Sequence, residues 1–165
     1  MPHTKQELIF FSRLAEQTER YQDMLKYIKQ ALQLDNTEPS VEERNLLNVA
    51  YKCLISLHRI PCNCISVFEE KEESKGAPYV SLVKDLKKKI EEEFEEIHYD
   101  AINFIDTKIL KRCESVESKV FFIKMKADFY RNLVHRLTGE KKTKAVQEAL
   151  KAYCEANEIA TNGMK

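Results

Sequence analysis

The sequence predicts an all-α protein, a layered array of six antiparallel helices forming a single domain over residues 1–165. Three observations carry that prediction. With 33% charged and 43% hydrophobic residues, and only three glycines and four prolines, the chain is rich in helix formers and poor in breakers. Its apolar residues recur at three- and four-residue spacing, and no stretch alternates with the period of two that a half-buried strand requires. Ser and Thr followed three residues later by Glu stand where two of those periodic stretches begin, as helix N-termini demand.

Thr4 with Glu7 opens the first helix, which runs to about Gln17. The second covers about Arg20 to Leu34, with Tyr21, Met24, Leu25, Ile28 and Leu32 on one face, and ends in the turn chemistry of Asp35 to Pro39. Ser40 with Glu43 starts the third, whose apolar positions are Leu47, Ala50, Leu54 and Leu57. Pro61 lacks an N–H and its ring opposes the carbonyl of Leu57, so a break or kink is expected there, with a helical remainder to about Lys71. A linker from Glu73 to Pro78 precedes a fourth helix of about thirty residues, reaching Leu110 through Leu82, Leu86, Ile90, Phe94, Ile97, Ala101 and Phe104. Ser115 opens a fifth helix that Gly139 closes, and a sixth spans roughly Thr143 to Thr161. The run Leu8 to Phe11 cannot turn all four side chains to one core, which sends part of it to a subunit interface.

Composition narrows the function. Twenty-seven Lys and Arg balance 27 Asp and Glu, so neither nucleic acid nor an anionic membrane is implied as a partner, and any charged site must be local. Gly76, Gly139 and Gly163 lie too far apart for a phosphate-cradling glycine loop, which removes nucleotide-binding fingerprints. The Leu8 to Phe11 run is too short for a signal-peptide core or a membrane span, and an odd count of five cysteines points to a reducing compartment; the expected location is the cytoplasm. Cys53, His58, Cys62 and Cys64 invite a metal reading, but Cys-x-Cys on a helix points its thiols apart and no second pair has ligand spacing. They read as ordinary thiols, and no metal or cofactor is expected. No Ser/His/Asp or Cys/His combination at a recognisable spacing suggests an enzyme. The block Lys87-Lys88-Lys89 followed by Glu91-Glu92-Glu93 reads as a solvated helix face. No repeat near 34 residues supports a tetratricopeptide scaffold.

One cation pattern stands out. Lys52 and Arg59 are seven residues apart on the third helix, and Lys124 and Arg131 repeat the spacing on the fifth, so each pair shares a helix face. Lys and Arg pairs at this spacing are usually a solvated face. Two such helices side by side would instead converge four cations, and a phosphate monoester, with about −1.5 to −2 charges and three acceptor oxygens, suits forked guanidinium donors. Asp128 can steady Arg131 within the helix.

Residues 42–52, Glu-Glu-Arg-Asn-Leu-Leu-Asn-Val-Ala-Tyr-Lys, and residues 117–131, Glu-Ser-Lys-Val-Phe-Phe-Ile-Lys-Met-Lys-Ala-Asp-Phe-Tyr-Arg, closely resemble the two signature segments of the 14-3-3 family. Residues 14–21, Leu-Ala-Glu-Gln-Thr-Glu-Arg-Tyr, resemble its N-terminal dimerisation segment, and the three runs occur in the family's order. The resemblance implies a dimeric adaptor, homo- or heterodimeric, that clamps phosphoserine or phosphothreonine segments of client proteins. It matches Lys52, Arg59 and Arg131 to the phosphate-gripping cations, with Asn132 where the family has a tyrosine hydroxyl and His135 where it has a glutamate. After Arg59 the chain reads Ile60-Pro61-Cys62-Asn63-Cys64 in place of small polar residues and a tryptophan. For the dimer, Leu14 and Ala15 offer a small apolar seam, Asp23 is implied to face Lys89 of the partner subunit and Glu93 to face Arg20, and Leu86 replaces an aromatic contact. The resemblance covers the family's first six helices and not its C-terminal ones, as in a fragment or a naturally short form. The alternative function is a truncated or degenerate member that dimerises without binding phosphopeptides.

Overall fold

The computed structural model describes residues 2–76 and 78–163. Six helices follow in order: α1 (Lys5–Gln17), α2 (Tyr21–Gln33), α3 (Val41–Lys75), α4 (Val80–Phe104), α5 (Val116–Val134) and α6 (Gly139–Gly163), with no strand among the described residues. The all-α class is therefore correct. Neighbours in sequence pack as hairpins, α1 with α2, α3 with α4 and α5 with α6.

The helix starts are set by the caps read from the sequence. Thr4 Oγ accepts from Glu7 N at 3.2 Å, Ser40 Oγ from Glu43 N at 3.1 Å and Ser115 Oγ from Ser118 N at 3.2 Å. Each meets one of the N–H groups that a helix start leaves without a partner. Glu43 does not reach back as a full capping box; its carboxylate lies buried 3.3 Å from Lys5 Nζ, tying α3 to α1.

Four boundaries differ from the sequence reading, each for a physical reason. Pro61 does not end α3, which stays helical on to Lys75. Pro61 and Leu57 are both exposed, so water can serve the carbonyl that the missing N–H leaves free. The helix stops instead at Gly76, whose left-handed φ of 60° turns its N–H back onto the carbonyls of Glu72 and Glu73. Ala77, within the expected linker, lies outside the described residues. Helix α4 does not reach Leu110: at Ile105–Ile109 it widens into a π turn and then tightens to a 3-10 turn over Leu110–Arg112. The wide turn keeps both Ile105 and Ile109 buried and delivers Arg112 to the carbonyls of Leu32 and Asp35 at the end of α2. Gly139, expected to close α5, opens α6 with φ 62°, four residues before Thr143.

The core sits among the first five helices, where Tyr51, Phe94, Phe122, Met24, Ile28, Leu47 and Ile105 are fully enclosed. Small residues of α6, among them Ala152 and Ala156, close onto Ile123 and Ala127 of α5. Of the apolar run in α1, Leu8 is buried, Ile9 packs against the core and Phe11 stacks on Tyr27 at 5.3 Å; Phe10 alone stays exposed. No helix among the described residues is long and apolar enough to cross a membrane.

Candidate functional site

Three contacts fix how α3 and α5 lie against each other. Arg44 donates to Ser118 Oγ at 3.3 Å, the Tyr51 ring meets Phe129 edge-on at 5.6 Å, and Arg136, just past the end of α5, donates to Asn63 Oδ1 at 2.9 Å. Later residues of α3 meet later residues of α5, so the two helices run parallel. The first and last contacts share an offset of 74 and 73 residues. That register brings Arg59 level with Asn132 and Leu133, next to Arg131, and Lys52 level with Met125 and Lys126, next to Lys124.

All four expected cations, Lys52, Arg59, Lys124 and Arg131, are exposed, and Asn132 is half-buried. Among the described residues Lys52, Arg59 and Lys124 have no carboxylate within ion-pair distance. Arg131 has only Asp128, 3.8 Å away one helical turn back. Asp128 also accepts a short hydrogen bond from the Tyr153 hydroxyl of α6, so its carboxylate cannot close fully on the guanidinium. Burial and that contact push the Tyr153 phenol up to about 12. This tie between α5 and α6 had no local signal in the sequence, since its partners are 25 residues apart.

Beneath the cations the packing is rigid and aromatic. His98 of α4 is fully buried between Phe94 and Phe129, at ring distances of 4.6 and 6.0 Å. Its Nδ1–H donates to the Phe94 carbonyl at 2.9 Å, and Nε2 is enclosed without a partner. Burial takes the imidazole down to about 4, the Phe94 carbonyl opposing and Arg59 assisting. Nearby, Asp100 accepts from both Tyr51 Oη and Lys29 Nζ at 2.9 Å, which joins α2, α3 and α4. Burial next to that carboxylate pushes the Tyr51 phenol well above its ordinary range. A buried histidine and a three-helix carboxylate are not legible from spacing; their partners come from other helices.

The residues expected at a dimer interface fall into two groups. Leu14, Leu86, Lys89, Arg20 and Glu93 are exposed. Arg20 pairs with Asp23 within its own chain at 2.6 Å. Those two line a cleft of about 400 Å³ that meets Leu57 and His58, and Glu93 lines the adjoining cleft of about 510 Å³, which also reaches His58. Ala15, by contrast, is buried in its own chain's core. The largest cleft, about 720 Å³ between α1 and α3 along Arg13, Val41 and Asn45, contains none of the expected residues.

A sequence model of the 14-3-3 protein family matches residues 11–165. The chain is 41% identical over 160 residues to 14-3-3 protein 2 of Entamoeba histolytica, covering 96% of this chain and 67% of that protein. It is 40% identical over 159 residues to the checkpoint signal transducer rad24 of Schizosaccharomyces pombe, covering 96% and 58%. It is 41% identical over 160 residues to the 14-3-3-like protein GF14 psi of Arabidopsis thaliana, covering 96% and 63%. The chain thus spans between 58% and 67% of the length of these relatives.

Proposed function

Because this chain belongs to the 14-3-3 family, we propose that it binds client proteins through phosphorylated serine or threonine, without catalysing a reaction, as a dimeric cytoplasmic adaptor. Arg59 and Arg131 grip the phosphate, Lys52 assists, and Lys124 adds charge along the same flank. The observation that carries the reading is the parallel register of α3 and α5, which sets Arg59 beside Arg131 while most of these cations lack carboxylate partners. Uncompensated guanidiniums next to each other repel until an anion joins them. A phosphate dianion supplies that charge, and each hydrogen bond to a charged group is worth about 1.5–3 kcal/mol.

Asn132 has an amide donor beside Arg131, shorter than a tyrosine hydroxyl. The grip therefore rests on the guanidiniums, and affinity falls steeply with salt. Dimerisation through Leu14, Leu86 and the charges Arg20, Asp23, Lys89 and Glu93 would hold two such sites at a fixed separation. Fluorescence-polarisation titration of a phosphoserine peptide and its unphosphorylated twin, at two salt concentrations, tests the reading. Arg131→Glu should remove the preference for the phosphorylated peptide. Binding that ignores phosphorylation in the parent protein would favour a member that dimerises without phosphopeptide binding.

A further inference from the structure

Beyond the four cations of the phosphate site lies another, Arg136. Its Nη2 donates to Asn63 Oδ1 at 2.9 Å, and its guanidinium lies 5.3 Å from the centre of the Phe94 ring. It is held from two sides, by an amide from α3 and an aromatic face from α4. Among the described residues it has no carboxylate within ion-pair distance, and no side-chain hydrogen bond occupies its Nε or Nη1 donors. Arg136 and Arg59 also act together on one group: both favour the thiolate of Cys62, whose burial pushes the thiol up. The two guanidiniums thus flank the same point of α3.

The register supplies the distance. Arg136 is level with Asn63, four residues beyond Arg59 on α3. Four residues are about 6 Å of helix rise. An extended peptide advances roughly 6.6 Å over two residues and returns its side chains to the same face. A phosphoresidue held at Arg59 and Arg131 therefore places the side chain two positions along the peptide opposite Arg136.

We propose that Arg136 is a specificity-determining residue that selects phosphorylated segments carrying an aspartate or glutamate two residues from the phosphate, on one side only. The inference rests on the phosphate site proposed above. Asn63 and Phe94 pre-orient the guanidinium so that its free donors meet a carboxylate without first being ordered. Asn63 is a positioning residue; it touches Arg136 and not the peptide.

The test uses the full chain and three fluorescent phosphoserine peptides: one neutral around the phosphoserine, one with Glu two residues before it and one with Glu two residues after it. One acidic peptide should bind about three- to fivefold more tightly than the neutral one, the range of a partly exposed ion pair. Arg136→Gln should erase that preference, Arg136→Lys should keep part of it, and Asn63→Ala should reduce it. All three should leave the preference for phosphoserine over serine in place, which also reports that they fold. Equal affinities for the three peptides, a gain at both positions, or a preference that survives Arg136→Gln would overturn the inference while the phosphate site stands. Loss of phosphoserine preference in the parent protein would overturn both.

Discussion

Two charged regions of this molecule are built in opposite ways. Where α1, α2 and α3 meet, charge is answered by charge: Lys5 lies 3.2 Å from Asp35 and 3.3 Å from Glu43. Glu38 there accepts from Ser115 Oγ, Ser115 N and Glu114 N at 2.8–3.0 Å, at the start of α5. Along the flank of α3 and α5, Lys52, Arg59, Lys124 and Arg136 have no acidic partner within ion-pair distance among the described residues. The first region stabilises the fold and the second keeps its electrostatic potential for something outside the chain. A formal net charge of zero concealed both, because it averages over the surface what a ligand meets locally.

The sharpest way to break the contrast is to reverse a charge on the unpaired side. Arg59→Glu should weaken phosphopeptide binding by about a hundredfold, since it removes a forked donor and adds repulsion, while the thermal midpoint stays within about 2 °C. Titration and a melting curve on the same sample check this; a large fall in the midpoint would show that Arg59 supports the fold. Next, Pro61→Ala should stabilise the protein by about 1–3 kcal/mol by restoring the missing hydrogen bond in α3. If register alone sets the cations, phosphopeptide affinity should move less than twofold in the same variant.

The paired region should respond in reverse. Glu38→Gln removes the charge from three hydrogen bonds at the start of α5 and should cost about 1–2 kcal/mol in urea unfolding, with phosphopeptide affinity unchanged. The smallest and most gradual effect belongs to His98. Its native pKa of about 4 lies below the ordinary 6.5, so between those values the unfolded chain binds more protons than the native one. Stability is then fully present above pH 6.5 and is lost as pH falls toward 4, by up to ~3 kcal/mol. His98→Gln should flatten that slope. The Asp35 carboxyl, held down to about 2 mainly by hydrogen bonds from Thr37, acts below this window, as pH falls from about 4 toward 2. The two contributions separate in a pH series of unfolding curves.

What was legible in the sequence follows from the range of the forces involved. Thr4, Ser40 and Ser115 act on a backbone N–H three residues away, so their caps could be read directly and were found in place. The seven-residue spacing of Lys52 with Arg59 and Lys124 with Arg131 is likewise local. Pro61 misled because its cost depends on whether water reaches the carbonyl of Leu57, a matter of tertiary exposure. Gly139 has the left-handed backbone expected of a helix end, but φ alone does not say which helix it serves. Ala15 could not be distinguished from exposed Leu14, because small apolar neighbours on a helix face different ways. Arg136 with Asn63 and Tyr153 with Asp128 pair residues from different helices, and only the register of α3, α5 and α6 brings them together.

The π turn at Ile105–Ile109 bears on how the chain tolerates changes in length. Such a turn holds about one residue more than the α-helix it interrupts, as a helix does after absorbing an insertion without shedding it. Deleting one residue there would let the backbone rewind as a plain α-helix, and by local propensity alone the shorter chain would be the better helix. Everything downstream would then arrive rotated by about 100°. Arg112 would swing away from the carbonyls of Leu32 and Asp35, which it now meets from 80 and 77 residues further along the sequence. The extra residue thus sets the phase between the two halves of the chain, and a compensating insertion elsewhere in the connection to α5 should rescue a deletion that substitution cannot.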